Sequence, residues 1–180
     1  DVWEKNVKKF NYDSFTDVIT IGKSPLVLVA SSKSKIDTPM EFLKYTHSGK
    51  KINIAVGTGA HRAAYEFIAN KMNFTEDIQH IKFNGPLPAV TSVAQFDGSG
   101  TEFGIMPITV ANPLIDAGKV KPIAFTGNHK ISQYKDVPLL IDLIPNINIY
   151  AAWFIALPPN TNPQIVSWYR VQFKKAIMSQ

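Results

Sequence analysis

The chain has 180 residues, 45% of them apolar and 18% charged, with 10 glycines and 12 prolines, the composition of a folded globular protein and not of a disordered, collagenous or low-complexity one. It contains no cysteine, which excludes a disulfide framework, a thiolate zinc site, an iron–sulfur cluster and a cysteine nucleophile. The net charge of +5 comes from lysines scattered in ones and twos, without the clustered, arginine-bearing stripe and aromatic platforms of a nucleic-acid reader.

The length predicts one domain, or one and a part. Size scaling lets roughly 70% of the unfolded surface be buried, enough for a core without staples. The longest apolar run, Ile149 to Leu157, has nine residues, less than half of a bilayer span. Asp1 opens a charged stretch with no basic, apolar, small-residue succession, so a signal peptide is expected to be absent or already removed.

In chain order, Asp1 to Phe10 reads as a short helix or the end of one, followed by β-rich runs Asp17 to Ile21 and Leu26 to Ala30 that the breaker pair Ser24-Pro25 separates. Thr38-Pro39 starts a helix that stops at Ser48-Gly49. A short apolar strand, Ile52 to Val56, leads into a helix over Ala60 to Met72 with Ala60, Ala63, Ala64, Phe67, Ile68 and Met72 on one face. Next come a strand at Ile78 to Phe83, a proline-opened helix at Pro86 to Gln95, and a strand at Glu102 to Met106. A helix over Pro107 to Ala117, perturbed by Pro113, closes at Gly118, and Val120 to Thr126 is a further strand. After an irregular stretch from Gly127 to Asn148, a strand returns at Ile149 to Leu157. Asn162-Pro163 then opens a last helix with Ile165, Val166, Tyr169, Phe173 and Ile177 expected on its buried face. Strand and helix alternating at this spacing predict an α/β fold with a mainly parallel sheet flanked by helices.

Such sheets bind ligands where strand carboxyl ends meet helix N-termini. Three junctions qualify. At Gly57-Thr58-Gly59-Ala60-His61-Arg62, two glycines allow close approach, Thr58 adds a hydroxyl, and up to four N–H groups of the first turn await an anion. A dinucleotide fingerprint is incomplete there: Arg62 occupies the place of the third glycine, and no acid follows on the next strand to hold a ribose. At Phe83-Asn84-Gly85-Pro86, Asn84 offers donors and an acceptor and Gly85 is expected to expose its N–H, although Asn-Gly-Pro is also an ordinary turn. The third junction is Met106-Pro107-Ile108. His61 and His80 have no acid or second histidine at metal-binding spacing, so no metal is expected. No nucleophile elbow is present, and Asp116, Asp136 and Asp142 stand singly at turns and helix ends, where capping or solvation explains them.

The succession Asn11-Tyr12-Asp13-Ser14-Phe15-Thr16-Asp17, Leu26-Val27-Leu28-Val29, Thr38-Pro39-Met40-Glu41-Phe42-Leu43, the glycine loop ending in His61, and Phe83-Asn84-Gly85-Pro86-Leu87-Pro88-Ala89 continues through Ala117-Gly118-Lys119-Val120-Lys121-Pro122-Ile123-Ala124, Lys135-Asp136-Val137-Pro138 and Trp153-Phe154 to Leu157-Pro158-Pro159-Asn160-Thr161-Asn162-Pro163. This ordered set resembles the solute-binding receptors of tripartite tricarboxylate transporters, the Bug family. The resemblance implies a periplasmic, type II binding-protein fold of two lobes that closes on a small carboxylate and delivers it to membrane permease subunits, with no catalysis and no cofactor. It implies ligand contacts at Gly57, Thr58, Gly59, Ala60, His61, Asn84, Gly85 and Met106.

The chain departs from the family by lacking its opening strand and glycine-rich, aspartate-containing loop, by Met106-Pro107 where an acid is common, and by Leu-Leu-Ile-Asp after Pro138. On that resemblance the sequence is expected to be a central portion: 1–23 a strip of lobe one, 24–148 the complete second lobe, and 149–180 a returning strip of lobe one. Apolar flanks left uncovered would favour self-association. The competing expectations are a small α/β enzyme acting on a phosphorylated or nucleotide substrate and, third, a structural or interaction domain with no small ligand.

Overall fold

The computed structural model describes residues 14–73 and 78–179. The helix expected at Asp1 to Phe10 lies outside the described residues. The chain divides into two compact units, one comprising Ser24–Ala151 and the other formed by the two ends of the chain, up to Lys23 and from Ala152 onward.

The first strand, β1 (Thr16–Ser31), is a single 16-residue strand that runs through Ser24-Pro25, where two strands were expected. Proline lacks a donor for a ladder, but the ladders to two later strands begin only beyond it, at Leu26 and Val27. The next elements are α1 (Pro39–Thr46), β2 (Ile52–Val56), α2 (Gly59–Lys71), β3 (Ile78–Lys82), α3 (Pro86–Ala94), β4 (Phe103–Pro107), α4 (Ile108–Asp116) and β5 (Val120–Phe125). The sheet order is β3-β2-β4-β1-β5. β2 runs parallel to β3 and β4, and β1 runs antiparallel to β4 and β5. Four strands therefore point one way and β1 is inserted against them, an antiparallel member that strand and helix alternation did not announce.

Alternation along β1 builds two cores. Leu26, Leu28 and Ala30 join Phe42, Ile54, Tyr65, Ile68 and Phe103 on one face; Val27 and Val29 join Ala89, Val90, Val93, Ala111 and Phe125 on the other. Side chains of a strand point to opposite faces at successive residues, so a strand covered on both sides reads as a continuous apolar run. α1 and α2 cover the first face, α3 and α4 the second. Local chemistry sets the helix ends. Thr38 accepts the Glu41 N–H at 3.2 Å while the Glu41 carboxylate accepts the Thr38 N–H at 3.0 Å, a reciprocal cap. Pro113 sits inside α4, which nevertheless continues to Asp116.

In the other unit, Asn162 Oδ1 accepts the Gln164 N–H at 2.8 Å to start α5 (Pro163–Met178), and Arg170 donates from Nε to the Val18 carbonyl at 2.9 Å. The strand β6 (Tyr150–Leu157) pairs with β1. Of the five residues expected to be buried on α5, only Val166 is. Tyr169 and Phe173 are half-buried, while Ile165 is 49% exposed, Ile177 39% and Trp168 59%. No helix among the described residues is long and apolar enough to cross a membrane.

Candidate ligand-binding site

The carboxyl ends of β2, β3, β4 and β5 share one edge of the sheet, and helices start there. β2 and β3 are parallel neighbours in register from Ile52 with Ile78 to Val56 with Lys82, so the loops after them emerge side by side. The Phe83 N–H donates to the Val56 carbonyl at 2.9 Å, continuing that ladder by one step. The consequence is direct contact between the two loops: a Cβ on Gly57 would lie 2.5 Å from the Gly85 carbonyl carbon and 2.5 Å from the Pro86 nitrogen. Gly85 has φ +110° and ψ 169°, a combination open essentially to glycine alone.

Thr58 is the N-cap of α2, extended at φ −151°, and its Oγ1 accepts the His61 N–H at 3.2 Å. Its carbonyl accepts the Arg62 N–H at 3.2 Å. Of the four N–H groups expected to await an anion, those of Gly59 and Ala60 remain, since helix geometry gives the first turn no internal acceptors. Thr58 is exposed and its O–H, distinct from the lone pair that caps the helix, can still donate. The Gly85 N–H does not face outward as expected: it donates to the Phe83 carbonyl at 3.0 Å, because the chain turns tightly there. Asn84 is exposed, and its side chain makes no hydrogen bond among the described residues. α3 starts with Pro86 and Pro88, which have no N–H, and α4 starts at Pro107 without a side-chain cap.

His61 is 5% exposed, and its Nδ1 has no hydrogen-bond partner among the described residues. Burial pushes its pKa down to about 4, so the ring is neutral at pH 7 and lends no cationic attraction. Burial and then the Arg62 charge also lower His80. Arg62 Nε and Glu66 Oε1 form an ion pair at 2.7 Å. Met106 stands apart from the other expected contacts: it is fully buried in the second core, with Val27, Val93 and Phe125. The structure thus brings Gly57, Thr58, Gly59, Ala60, Asn84 and Gly85 together, sets His61 beneath them, and withdraws Met106 into the core.

Sequence reading missed the junction after β5. Thr126 is buried, and its Oγ1 accepts the Leu26 N–H at 3.0 Å and donates to the Ile149 carbonyl at 2.6 Å. Beside it, the Tyr150 hydroxyl donates to Asn128 Oδ1 at 2.8 Å. The criterion that selected the other junctions, a polar residue and a glycine just past a strand, also fits Thr126-Gly127-Asn128. The sequence reading ends a strand at Thr126 and begins an irregular stretch at Gly127. No group of three or more metal-ligating side chains occurs among the described residues. A cleft of about 620 Å³ lined by Phe15, Asp17, Val18, Ile19, Thr20, Phe154 and Ile155 belongs to the other unit and contains none of the expected contacts.

Comparison with solved structures finds the same fold in MatC (Rpa3494) from Rhodopseudomonas palustris with bound malate, at 20% identity and a TM-score of 0.77, over 92% of this chain and 56% of that one. R. palustris Rpa4515 with adipate matches at 18% identity and a TM-score of 0.74, over 86% of this chain and 52% of that one. A TctC solute binding protein from Polaromonas matches at 22% identity and a TM-score of 0.72, over 96% of this chain and 58% of that one. The chain therefore spans little more than half the length of these structures. No curated protein sequence matches it. With its α/β sheet of type II binding-protein kind, and with residues 4–179 matched by the sequence profile of the tripartite tricarboxylate transporter family receptor, the chain belongs to that receptor family.

Proposed function

We propose that this chain is the ligand-holding portion of a periplasmic solute receptor that captures a small carboxylate for a membrane permease and performs no catalysis. The observation that carries the reading is the contact of Gly57 with Gly85 at the start of α2. It sets the Thr58 hydroxyl, the Gly59 and Ala60 N–H groups and Asn84 around one helix N-terminus, where partial positive charge favours an anion. Malate in MatC and adipate in Rpa4515 support a carboxylate as the ligand class, and family membership supports the permease as partner. The periplasmic location rests on the same membership and on a similar structure described as a periplasmic transporter.

A thermal-shift panel of dicarboxylates, tricarboxylates, aromatic acids, amino acids and nucleotides tests the proposal. Ligand at a hundred times its Kd stabilises by about 2.7 kcal/mol, several degrees in Tm for a protein of this size. Stabilisation by carboxylates and not by nucleotides is the expected result; stabilisation by nucleotides or phosphorylated compounds alone would overturn it in favour of an α/β enzyme.

A further inference from the structure

The loop after β5 carries a side chain whose orientation its neighbours dictate. The Tyr150 hydroxyl accepts the Asn128 backbone N–H at 3.2 Å and sends its single proton to Asn128 Oδ1 at 2.8 Å. Turning the amide over would put a donor where the hydroxyl's proton now finds an acceptor, so the network favours the oxygen inward and Nδ2 outward. Asn128 is exposed, and Nδ2 makes no hydrogen bond among the described residues. The clamp rests on a firm base. Gly127 lies against the Tyr150 ring, where a Cβ would be 2.8 Å from the hydroxyl oxygen and 3.0 Å from Cζ, and Thr126 is tied to Leu26 and Ile149.

β5 ends on the same edge as β2, three strands away in the order β2-β4-β1-β5, or about 14 Å at ordinary strand spacing. Asn128 is too far from Gly59 and Ala60 to touch the same carboxylate. We propose that Asn128 is a specificity-determining contact for the far end of the ligand, with Tyr150 as its positioning residue: the locked amide presents two N–H donors and selects a dicarboxylate over an acid of equal length that ends in a methyl or an ammonium group. This rests on the receptor reading above.

Calorimetric titration of the whole chain with adipate and with hexanoate tests the proposal, using the wild type, Asn128→Asp and Tyr150→Phe. The wild type is expected to bind adipate at least tenfold more tightly than hexanoate. Asn128→Asp sets a carboxylate against the ligand's second carboxylate and should erase that preference by lowering adipate affinity at least tenfold. Tyr150→Phe keeps the ring over Gly127 but releases the amide, and should lower the preference severalfold. Equal adipate affinity in Asn128→Asp and wild type would overturn the proposal and leave the receptor reading standing. An unchanged preference in Tyr150→Phe would remove Tyr150 from it. A wild type that binds neither acid, nor any other carboxylate of the panel, would fell the receptor reading and this proposal with it.

Discussion

Gly57 and Gly85 meet backbone to backbone, so closely that a Cβ on the first would lie 2.6 Å from the carbonyl oxygen of the second. Neither loop can yield by rotating a side chain, because the contact is with main chain. Gly57→Ala should cost about 1–3 kcal/mol by overpacking and push the two loops apart. Gly85→Ala should cost a similar amount for a different reason, the strain of a side chain at φ +110°. A Cβ on Gly85 would meet nothing nearer than Pro88 Cδ at 4.0 Å, so its cost is conformational and not a clash. Urea unfolding of the two variants checks both, and either one within 0.5 kcal/mol of wild type, about the scatter of a neutral surface change, would sink the account.

Thr58 has two duties that substitution can separate. Its Oγ1 caps α2 through the His61 N–H, and loss of a threonine cap costs about 1 kcal/mol, or about 2–4 °C in Tm. Its O–H, if it meets the ligand, adds a charge-assisted bond worth about 1.5–3 kcal/mol. Thr58→Val should therefore lower both Tm and carboxylate affinity, the latter tenfold or more, while Thr58→Ser should restore both. Affinity unchanged in Thr58→Val with Tm reduced would leave Thr58 as a cap and nothing more.

Acid should destabilise the fold through His61. Its folded pKa is about 4 against 6.5 for the unperturbed group, so below pH 6.5 the unfolded chain takes up a proton that the folded chain refuses until about pH 4. Stability is complete above pH 6.5 and falls as pH drops through this window, by about 1.4 kcal/mol per unit and about 3 kcal/mol in total. His80, lowered by burial and by Arg62 and raised by Glu66, adds in the same direction. Urea midpoints measured from pH 4 to 8 should show this slope, and His61→Gln should flatten most of it. An equally steep acid limb in His61→Gln would show that other groups carry it.

Much of this structure was legible because its signals are local. Thr38-Pro39 and Asn162-Pro163 each start the helix that their side chains or fixed φ predict, and the short apolar runs became strands, the first two of them fused into β1. The direction of β1 was not legible, since an apolar run such as Leu26 to Ala30 has the same alternation whether it pairs parallel or antiparallel. Of the site, the glycine loop and Asn84 could be read from their positions after strands. The burial of Met106 could not, because its fate depends on β1 and α3 closing over β4, contacts distant in sequence. Tyr150 and Asn128 are likewise 22 residues apart and joined by a hydrogen bond that no periodicity encodes.

The exposed apolar side chains of the unit formed by the chain's two ends should drive self-association. On α5, Ile165, Trp168 and Val171 stand three residues apart on one stripe, exposed by 46–59%, and Trp153 and Phe154 on β6 are about half exposed. Each such side chain left in water forgoes about 1.5–3 kcal/mol of burial, and a soluble protein covers apolar surface of this kind by association. Light scattering should detect dimers or larger species of the 180-residue chain at micromolar concentration, and Trp168→Glu should shift them toward monomer. A wild-type chain that stays monomeric under those conditions would contradict this.

Thr126 should prove sensitive to loss of its hydroxyl. Its buried hydroxyl satisfies the Leu26 N–H and the Ile149 carbonyl together, one at the point where β1 enters its ladders and the other just before β6. Thr126→Val keeps the shape and removes the hydroxyl, leaving the Leu26 N–H buried and the Ile149 carbonyl part-buried, both without this partner. At about 1–3 kcal/mol for each unsatisfied group, the loss should reach about 3 kcal/mol. Thr126→Ser, which keeps the hydroxyl and gives up only a methyl, should recover most of it. The backbone bonds from the Thr126 N–H to the Leu26 carbonyl and from the Ile149 N–H to the Thr126 carbonyl, each 3.0 Å, remain in either variant. Thr126→Val should therefore still fold, with faster amide exchange at Leu26 as the local signature. A Thr126→Val protein within 0.5 kcal/mol of wild type, about the scatter of a neutral surface change, would mean that Leu26 and Ile149 are held to Thr126 by their backbone bonds alone and that the base of the Tyr150–Asn128 clamp needs no hydroxyl.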